Sequence, residues 1–192
     1  MKRIFDITAS FFGLIILSPL LIFISLWVGL SSKGGVFYTQ IRVGRNNKDF
    51  KLYKFRSMRV NSDKKGLLTV GSKDSRITKA GYFIRKYKID ELPQLFNVLK
   101  GDMSFVGPRP EVRPYVDMYN DDQKQVLKVR PGITDPASIK YRNENDILSS
   151  VDNPEEYYIK EIMPDKLKIN IEYINNRSFI KDIKIILQTI KG

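Results

Sequence analysis

Neither cysteine nor histidine occurs among the 192 residues. Without cysteine there is no disulfide framework, no thiol nucleophile and no zinc finger. Without histidine there is no Ser-His-Asp triad and no axial haem imidazole. Any chemistry therefore falls to carboxylates, hydroxyls, lysines, arginines and a hard, oxygen-seeking cation such as Mg²⁺. Acidic side chains are scarce beside basic ones: 21 Asp and Glu stand against 33 Lys and Arg, a formal net charge of +12. Such an excess calls for an anionic partner, whether nucleic acid, a membrane surface or a phosphorylated substrate. The length suits one domain, or one domain with a short appendage. There is no internal repeat and no low-complexity tract.

Charge is also missing from Ile7 to Leu30. A straight helix of that length reaches about 36 Å, enough for a hydrocarbon core of roughly 30 Å. A secretory signal fits poorly, because the run is long and no clear Ala-x-Ala site follows it. Two features argue against a plain crossing. Ser18-Pro19 sits in mid-segment, where proline removes a backbone bond and kinks or breaks the helix. The flanks are basic on both sides, with Lys2 and Arg3 before and Lys33, Arg42 and Arg45 after. The positive-inside rule expects an asymmetry. A helix–break–helix that dips into one leaflet fits both facts, with the Ser18 hydroxyl bonding a freed carbonyl. A kinked crossing fits the apolar pattern equally well.

The remainder reads as a basic α/β (α+β) domain. We divide the chain into a membrane helix over 1–33 and a second domain over 34–192. Residues 36–43 and 50–58 are β-branched and aromatic, and the turn formers 44–49 lie between them, which predicts a β-hairpin. Lys51, Lys54, Arg56 and Arg59 stud the second strand. Such a row is ordinarily a solvated face, but cations beside aromatics also hold phosphates or nucleic acid. Residues 60–76 are mostly polar and predict a mobile loop or lid. A helix follows over 79–88.

From Asp90 to Gly101 the apolar residues Leu92, Leu95, Phe96 and Leu99 recur at helical spacing and predict one buried face. Asp90 stands at an N-cap position, Pro93 in the first turn and Gly101 at the C′ position. Capping is the ordinary role of such an aspartate. The alternative is that Asp90 and Glu91 form a phosphate and metal site at a helix start. In Gly107-Pro-Arg-Pro110 two prolines fix the backbone around Arg109 and present a guanidinium fork. An exposed arginine of that kind is removable with little loss of stability. Arg130-Pro-Gly-Ile-Thr134 and Asp135-Pro136 mark a second rigid turn. The stretch from Phe179 to Lys191 predicts an amphipathic helix with Phe179, Ile183, Ile186, Leu187 and Ile190 on its apolar face, covering the core or lying in a membrane interface.

Together these residues resemble the bacterial sugar transferases, the small monotopic phosphoglycosyl transferases. The resemblance runs through most of the chain. It includes Lys2-Arg3-Ile-Phe-Asp6, Ser18-Pro19, Tyr53-Lys-Phe-Arg-Ser-Met58, Arg130-Pro-Gly-Ile-Thr134 and Asp182-x-x-x-x-Leu187, and is densest from Ile89 to Pro110. It implies transfer of a sugar phosphate from a UDP-sugar to polyprenyl phosphate, usually undecaprenyl phosphate, releasing UMP in the first membrane step of surface-glycan assembly. By that similarity Asp90 is the nucleophile and forms an aspartyl-phosphosugar. Glu91 supports Mg²⁺ binding with Asp90, and Arg109 and Arg85 bind substrate phosphate. Lys54 and Arg56 are further phosphate candidates. The Ser-Pro pair implies a re-entrant helix with both ends cytoplasmic, on the inner membrane.

One stretch departs from the family pattern. After Arg-Pro-Gly-Ile-Thr many members continue Gly-Leu-Ala-Gln, where this chain has Asp135-Pro-Ala-Ser138. Ser138 and Arg142 are the candidate nucleotide or sugar contacts of this region. The competing reading is a membrane-tethered protein that binds nucleic acid or another anionic surface without catalysis. No helix-turn-helix, RNP or zinc motif supports it. The partners that the resemblance implies are the UDP-sugar, polyprenyl phosphate and membrane lipids, with later glycosyltransferases downstream and no nucleic acid.

Overall fold

A computed structural model describes residues 1–31, 33–62 and 74–191. The loop or lid expected over 60–76 therefore lies largely outside the described residues.

The uncharged amino-terminal run folds as one helix, α1 (Lys2–Ser31), with Pro19 inside it. The break expected at Ser18-Pro19 does not interrupt the helix. Proline deprives the Ile15 carbonyl of its usual i+4 donor. Ser18 Oγ donates to that same carbonyl at 2.7 Å, so the bond is replaced locally. The inward stripe also keeps one phase through the proline. Asp6 and Ser10 are buried before it, and Ile24 and Val28 after it. The outward face carries exposed Phe11, Phe12, Ile15, Ile16, Phe23 and Leu26.

The hairpin forms as expected, slightly shorter than its sequence signal. β1 (Phe37–Val43) and β2 (Asp49–Phe55) pair antiparallel, with Tyr38 opposite Lys54. α2 (Lys79–Lys86) follows, its N-cap Thr78 accepting from the Gly81 N–H. Then come α3 (Gln94–Lys100) and the short β3 (Ser104–Val106). After α4 (Arg113–Val116), β4 (Gly132–Thr134) pairs parallel to β3. The helices α5 (Pro136–Lys140), α6 (Glu144–Ser149), α7 (Pro154–Tyr157), α8 (Met163–Asn175) and α9 (Phe179–Lys191) complete the order.

The main core gathers Val43, Val112, Tyr115, Val116, Leu148, Ile162 and Leu167 between the hairpin, α4 and α8. A second cluster joins α1 to the domain through Ile24, Val28, Phe55 and Ile84. α9 buries Ile185 and Asp182, whereas Phe179, Leu187 and Ile190 of its expected apolar face are exposed. Only part of that face meets the core, because α9 touches the domain along β3, β4 and α5 alone among its larger contacts.

Lys2 and Arg3 are not free flanking charges. Lys2 Nζ pairs with buried Asp182 at 2.5 Å. Arg3 donates to the Val98 and Leu99 carbonyls at 2.6 and 3.0 Å, satisfying the end of α3. Asp6 is 2% exposed and accepts from Ser104 Oγ and the Phe105 N–H, both at 3.1 Å. The amino end of α1 is thereby hydrogen-bonded to the domain. Asp6→Ala strands a buried N–H and should cost about 1–3 kcal/mol. A thermal melt in detergent should fall by several degrees, and an unchanged midpoint would mean that the tether carries no stability.

Candidate functional site

The segment after α2 makes a sharp turn. Lys88 adopts a left-handed conformation at φ 56°, which costs a non-glycine residue on the order of 1 kcal/mol. A single 3₁₀ turn, Ile89–Glu91, follows, and α3 starts only at Gln94. This corrects the capping role expected of Asp90. The residue lies inside the 3₁₀ turn, and its Oδ1 is buried with no hydrogen-bond partner. The buried face of α3 is likewise shifted. Gln94, Leu95, Asn97 and Val98 are buried, whereas Phe96 is 45% exposed. The 3₁₀ turn winds at three residues per turn, so the 3.6-residue pattern counted from Leu92 loses phase at the helix start. Gly101 closes α3 at φ 98°, as expected of a C-terminal cap.

Asn97 fixes α3 against the hairpin. Its amide donates to the Lys51 carbonyl at 2.7 Å and accepts from the Tyr53 N–H at 3.0 Å. That places Lys54 beside the acidic pair. Lys54 Nζ donates to Glu91 Oε1 at 3.1 Å. Arg109 grips both Glu91 oxygens, with Nη1 at 3.2 Å from Oε2 and Nη2 in contact with Oε1. Burial opposes ionisation of Glu91, but the Arg109 and Lys54 charges outweigh it and hold the carboxyl well below its usual range. Burial pushes Asp90 up, against the pull of Lys54. Burial also lowers Lys54, partly offset by Glu91. The two adjacent carboxyls thus diverge: Glu91 is held as an anion by its cations, and Asp90 is pushed up and has an unpartnered oxygen.

Arg109 is placed by two turns that fold as one unit. Gly107 N–H donates to the Thr134 carbonyl at 3.1 Å, and Gly132 N–H to the Pro108 carbonyl at 3.0 Å. A Cβ on Gly132 would lie 2.2 Å from Gly107 N, so this approach demands glycine. The two motifs separated in sequence are therefore opposite sides of the β3–β4 pair.

A cleft of about 1060 Å³ opens over these groups. Asp90, Glu91, Lys54, Arg56, Arg85, Arg109, Ser138 and Arg142 all line it, so it brings together every site residue read from the sequence apart from the helix pair Ser18 and Pro19. Their freedom differs. The Arg85 side chain makes no hydrogen bond or ion pair among the described residues. Arg56 donates to the Gly35 and Phe37 carbonyls at 3.1 Å and so also ties down the start of β1. Ser138 Oγ donates to Asp135, leaving it only acceptor capacity toward a ligand. Arg142 donates to the Gln188 carbonyl at 3.2 Å. Ala9, Gly13 and Leu17 of α1 form part of the wall, so the apolar helix borders the polar cleft.

Residues that sequence reasoning missed surround this centre. Arg42 holds the Pro110 carbonyl at 2.9 Å and reaches Glu111 at 3.4 Å, and Glu111 accepts from Tyr158. Nothing in local spacing marks such long-range partners. Asp135 is different, since Asp-Pro is itself a helix-start signature.

The donor set suits a hard cation in part. Among the described residues no group of three or more acidic side chains gathers. The unpartnered Asp90 Oδ1 is nevertheless a suitable oxygen ligand for Mg²⁺, which commonly uses one or two carboxylates with water and substrate phosphates. Glu91 offers less, because Lys54 and Arg109 already occupy its oxygens.

The Arg109 guanidinium is 32% exposed and the Glu91 carboxylate 12%. This corrects the view of Arg109 as a dispensable exposed fork. Removing it leaves a largely buried carboxylate with one cation. After allowance for the exposed third, Arg109→Ala should cost about 1–3 kcal/mol, or roughly 3–10 °C in melting temperature. An unchanged melt would show that the pair adds nothing to stability.

The chain matches the bacterial sugar transferase family over residues 1–192. It is 40% identical over 191 residues to the uncharacterized sugar transferase EpsL of Bacillus subtilis, covering 100% of this chain and 86% of that protein. It is 39% identical over 197 residues to the UDP-N-acetylgalactosamine-undecaprenyl-phosphate N-acetylgalactosaminephosphotransferase of Aeromonas hydrophila, covering 99% of this chain and 43% of that protein. It is 38% identical over 198 residues to the UDP-glucose:undecaprenyl-phosphate glucose-1-phosphate transferase of Escherichia coli, covering 99% and 39%. The chain thus spans most of the first relative and about two fifths of the other two. With a match that runs its whole length and reaches the acidic pair, both rigid turns and the apolar helix, the chain belongs to the bacterial sugar transferase family.

Proposed function

We propose that this protein transfers a sugar 1-phosphate from a UDP-sugar to polyprenyl phosphate, in practice undecaprenyl phosphate, and releases UMP. The observation that carries this reading is the buried, unpartnered Asp90 Oδ1 beneath a cleft lined by Lys54, Arg85 and Arg109. The names of two relatives describe transfers of this kind. Asp90 attacks the phosphorus that bears the sugar, the bond to the UMP oxygen breaks, and UMP leaves with that electron pair. A polyprenyl phosphate oxygen then attacks the same phosphorus and returns the carboxylate. Two half-reactions spare the site from holding lipid and nucleotide together.

The protein's own groups have separate tasks. Glu91, Lys54 and Arg109 form a preorganised cluster, so the guanidinium is held in place before a diphosphate arrives. Arg85 is a cation of the cleft whose side chain has no partner to give up among the described residues. Mg²⁺, held by Asp90 and the donor phosphates with Glu91 beside them, would neutralise charge on the leaving group. The cations converge on one acidic pair, an arrangement that suits a compact diphosphate better than an extended nucleic acid.

The same reading explains the apolar helix. Both ends of α1 dock on one domain: Lys2, Arg3 and Asp6 at one end, Ile24 and Val28 at the other. A helix crossing the bilayer would carry those ends to opposite faces. We therefore read the anchor as monotopic, on the cytoplasmic face of a bacterial inner membrane, with its exposed apolar side in lipid and a lipid acceptor reaching the cleft along Ala9, Gly13 and Leu17. Exposed apolar residues of α9 are placed to share that interface.

Two experiments test the reading. Detergent-solubilised protein with undecaprenyl phosphate, Mg²⁺ and a panel of UDP-sugars should release UMP, and Asp90→Asn should abolish release. Burial raises the Asp90 pKa, so ionising this group costs folded-state stability as pH rises above about 4. The Asn variant should therefore melt at or above wild type near neutrality, with the gain shrinking toward acid pH. Retained turnover in Asp90→Asn would sink the nucleophile assignment. Single cysteines replacing Met1 and Leu30 should both label from the cytoplasmic side in intact cells, and opposite sidedness would rule out the monotopic anchor.

A further inference from the structure

Arg109 hangs between two carboxylates. Its side chain reaches Glu91, and its backbone N–H donates to Asp135 Oδ2 at 2.9 Å, across 26 residues of sequence. Asp135 has 0% of its surface exposed. It is also the N-cap of α5, accepting from the Ser138 N–H at 2.6 Å through Oδ1. Ser138 Oγ adds a third bond, to Oδ2 at 3.1 Å. No lysine or arginine side chain pairs with Asp135 among the described residues.

Capping a five-residue helix needs one oxygen, and a neutral Ser or Asn supplies it. A fully buried carboxylate is a costly way to do so. What the charge adds is a second oxygen, aimed at the one backbone donor that orients Arg109. The flanking Pro108 and Pro110 have no N–H, and the turn's other bonds engage Gly107 N and the Pro108 and Pro110 carbonyls. Asp135 therefore holds the only backbone N–H between the two prolines.

We propose that Asp135 is the positioning residue of Arg109, setting the direction in which the guanidinium meets a substrate phosphate; this rests on reading Arg109 as a ligand of the donor diphosphate. Asp135→Asn separates the two tasks. The Asn carbonyl can keep the cap on Ser138, and its NH₂ then faces the Arg109 N–H, donor against donor. A shift of this kind in a phosphate clamp costs on the order of ten- to a hundredfold.

The test is a double-variant cycle on the full-length protein in detergent, read by UDP affinity and by kcat/KM for the UDP-sugar. Asp135→Asn should weaken UDP binding at least tenfold in protein that remains folded, with a melting temperature lowered by several degrees for the stranded Arg109 N–H. In an Arg109→Ala background, or Arg109→Lys should the former fail to fold, the same change should have little further effect. Equal losses in both backgrounds, or wild-type affinity in Asp135→Asn, would overturn the positioning role. If wild-type protein binds no UDP, or Arg109→Ala binds it as well as wild type, the phosphate reading of Arg109 falls, and the positioning role with it.

Discussion

The site depends on Glu91 being held by two cations at once. Lys54 comes from β2, Arg109 from the turn after β3, and Glu91 from the 3₁₀ turn between α2 and α3. Three segments distant in sequence are joined by one carboxylate. Glu91 stays ionised because the two positive charges exceed the penalty of burial. Its neighbour Asp90 has no such clamp, and burial outweighs the pull of Lys54 on it. The contrast between the two acids is a division of labour: one organises the cations, the other is left with an oxygen to use.

The apolar helix is part of the same construction. Arg3 closes the carbonyl end of α3, and Asp6 accepts from the residues that begin β3. α3 follows the acidic pair, and β3 leads into the Arg109 turn. A helix that would otherwise serve only as an anchor thus braces two segments on either side of the cleft and also lends it Gly13 and Leu17 as a wall. The seating of the apolar helix and the integrity of the site are therefore coupled through the same hydrogen bonds.

Much of this was legible in residue order. The hairpin, the α2 and α9 helices, the Gly101 cap and the candidate site residues, though not Arg42, Glu111 and Tyr158 beside them, followed from periodicity, turn formers and the family resemblance. Two readings failed for identifiable reasons. Ser18 repaired the carbonyl that Pro19 orphaned, so the expected break did not open. The 3₁₀ turn displaced Asp90 from the cap and rotated Phe96 outward. In each case a hydrogen bond or a local winding outweighed a statistical preference.

Composition excluded thiol, imidazole and disulfide chemistry and called for an anionic partner, and spacing joined to the family resemblance pointed to Asp90, Glu91 and Arg109. These conclusions need only the identity of side chains and their local order. Tertiary structure decided which acid is clamped and which is free, that Arg109 is load shared between Glu91 and Asp135, and that both ends of α1 meet one domain. Those outcomes turn on burial and on contacts between segments far apart along the chain, and neither quantity exists until the chain has folded.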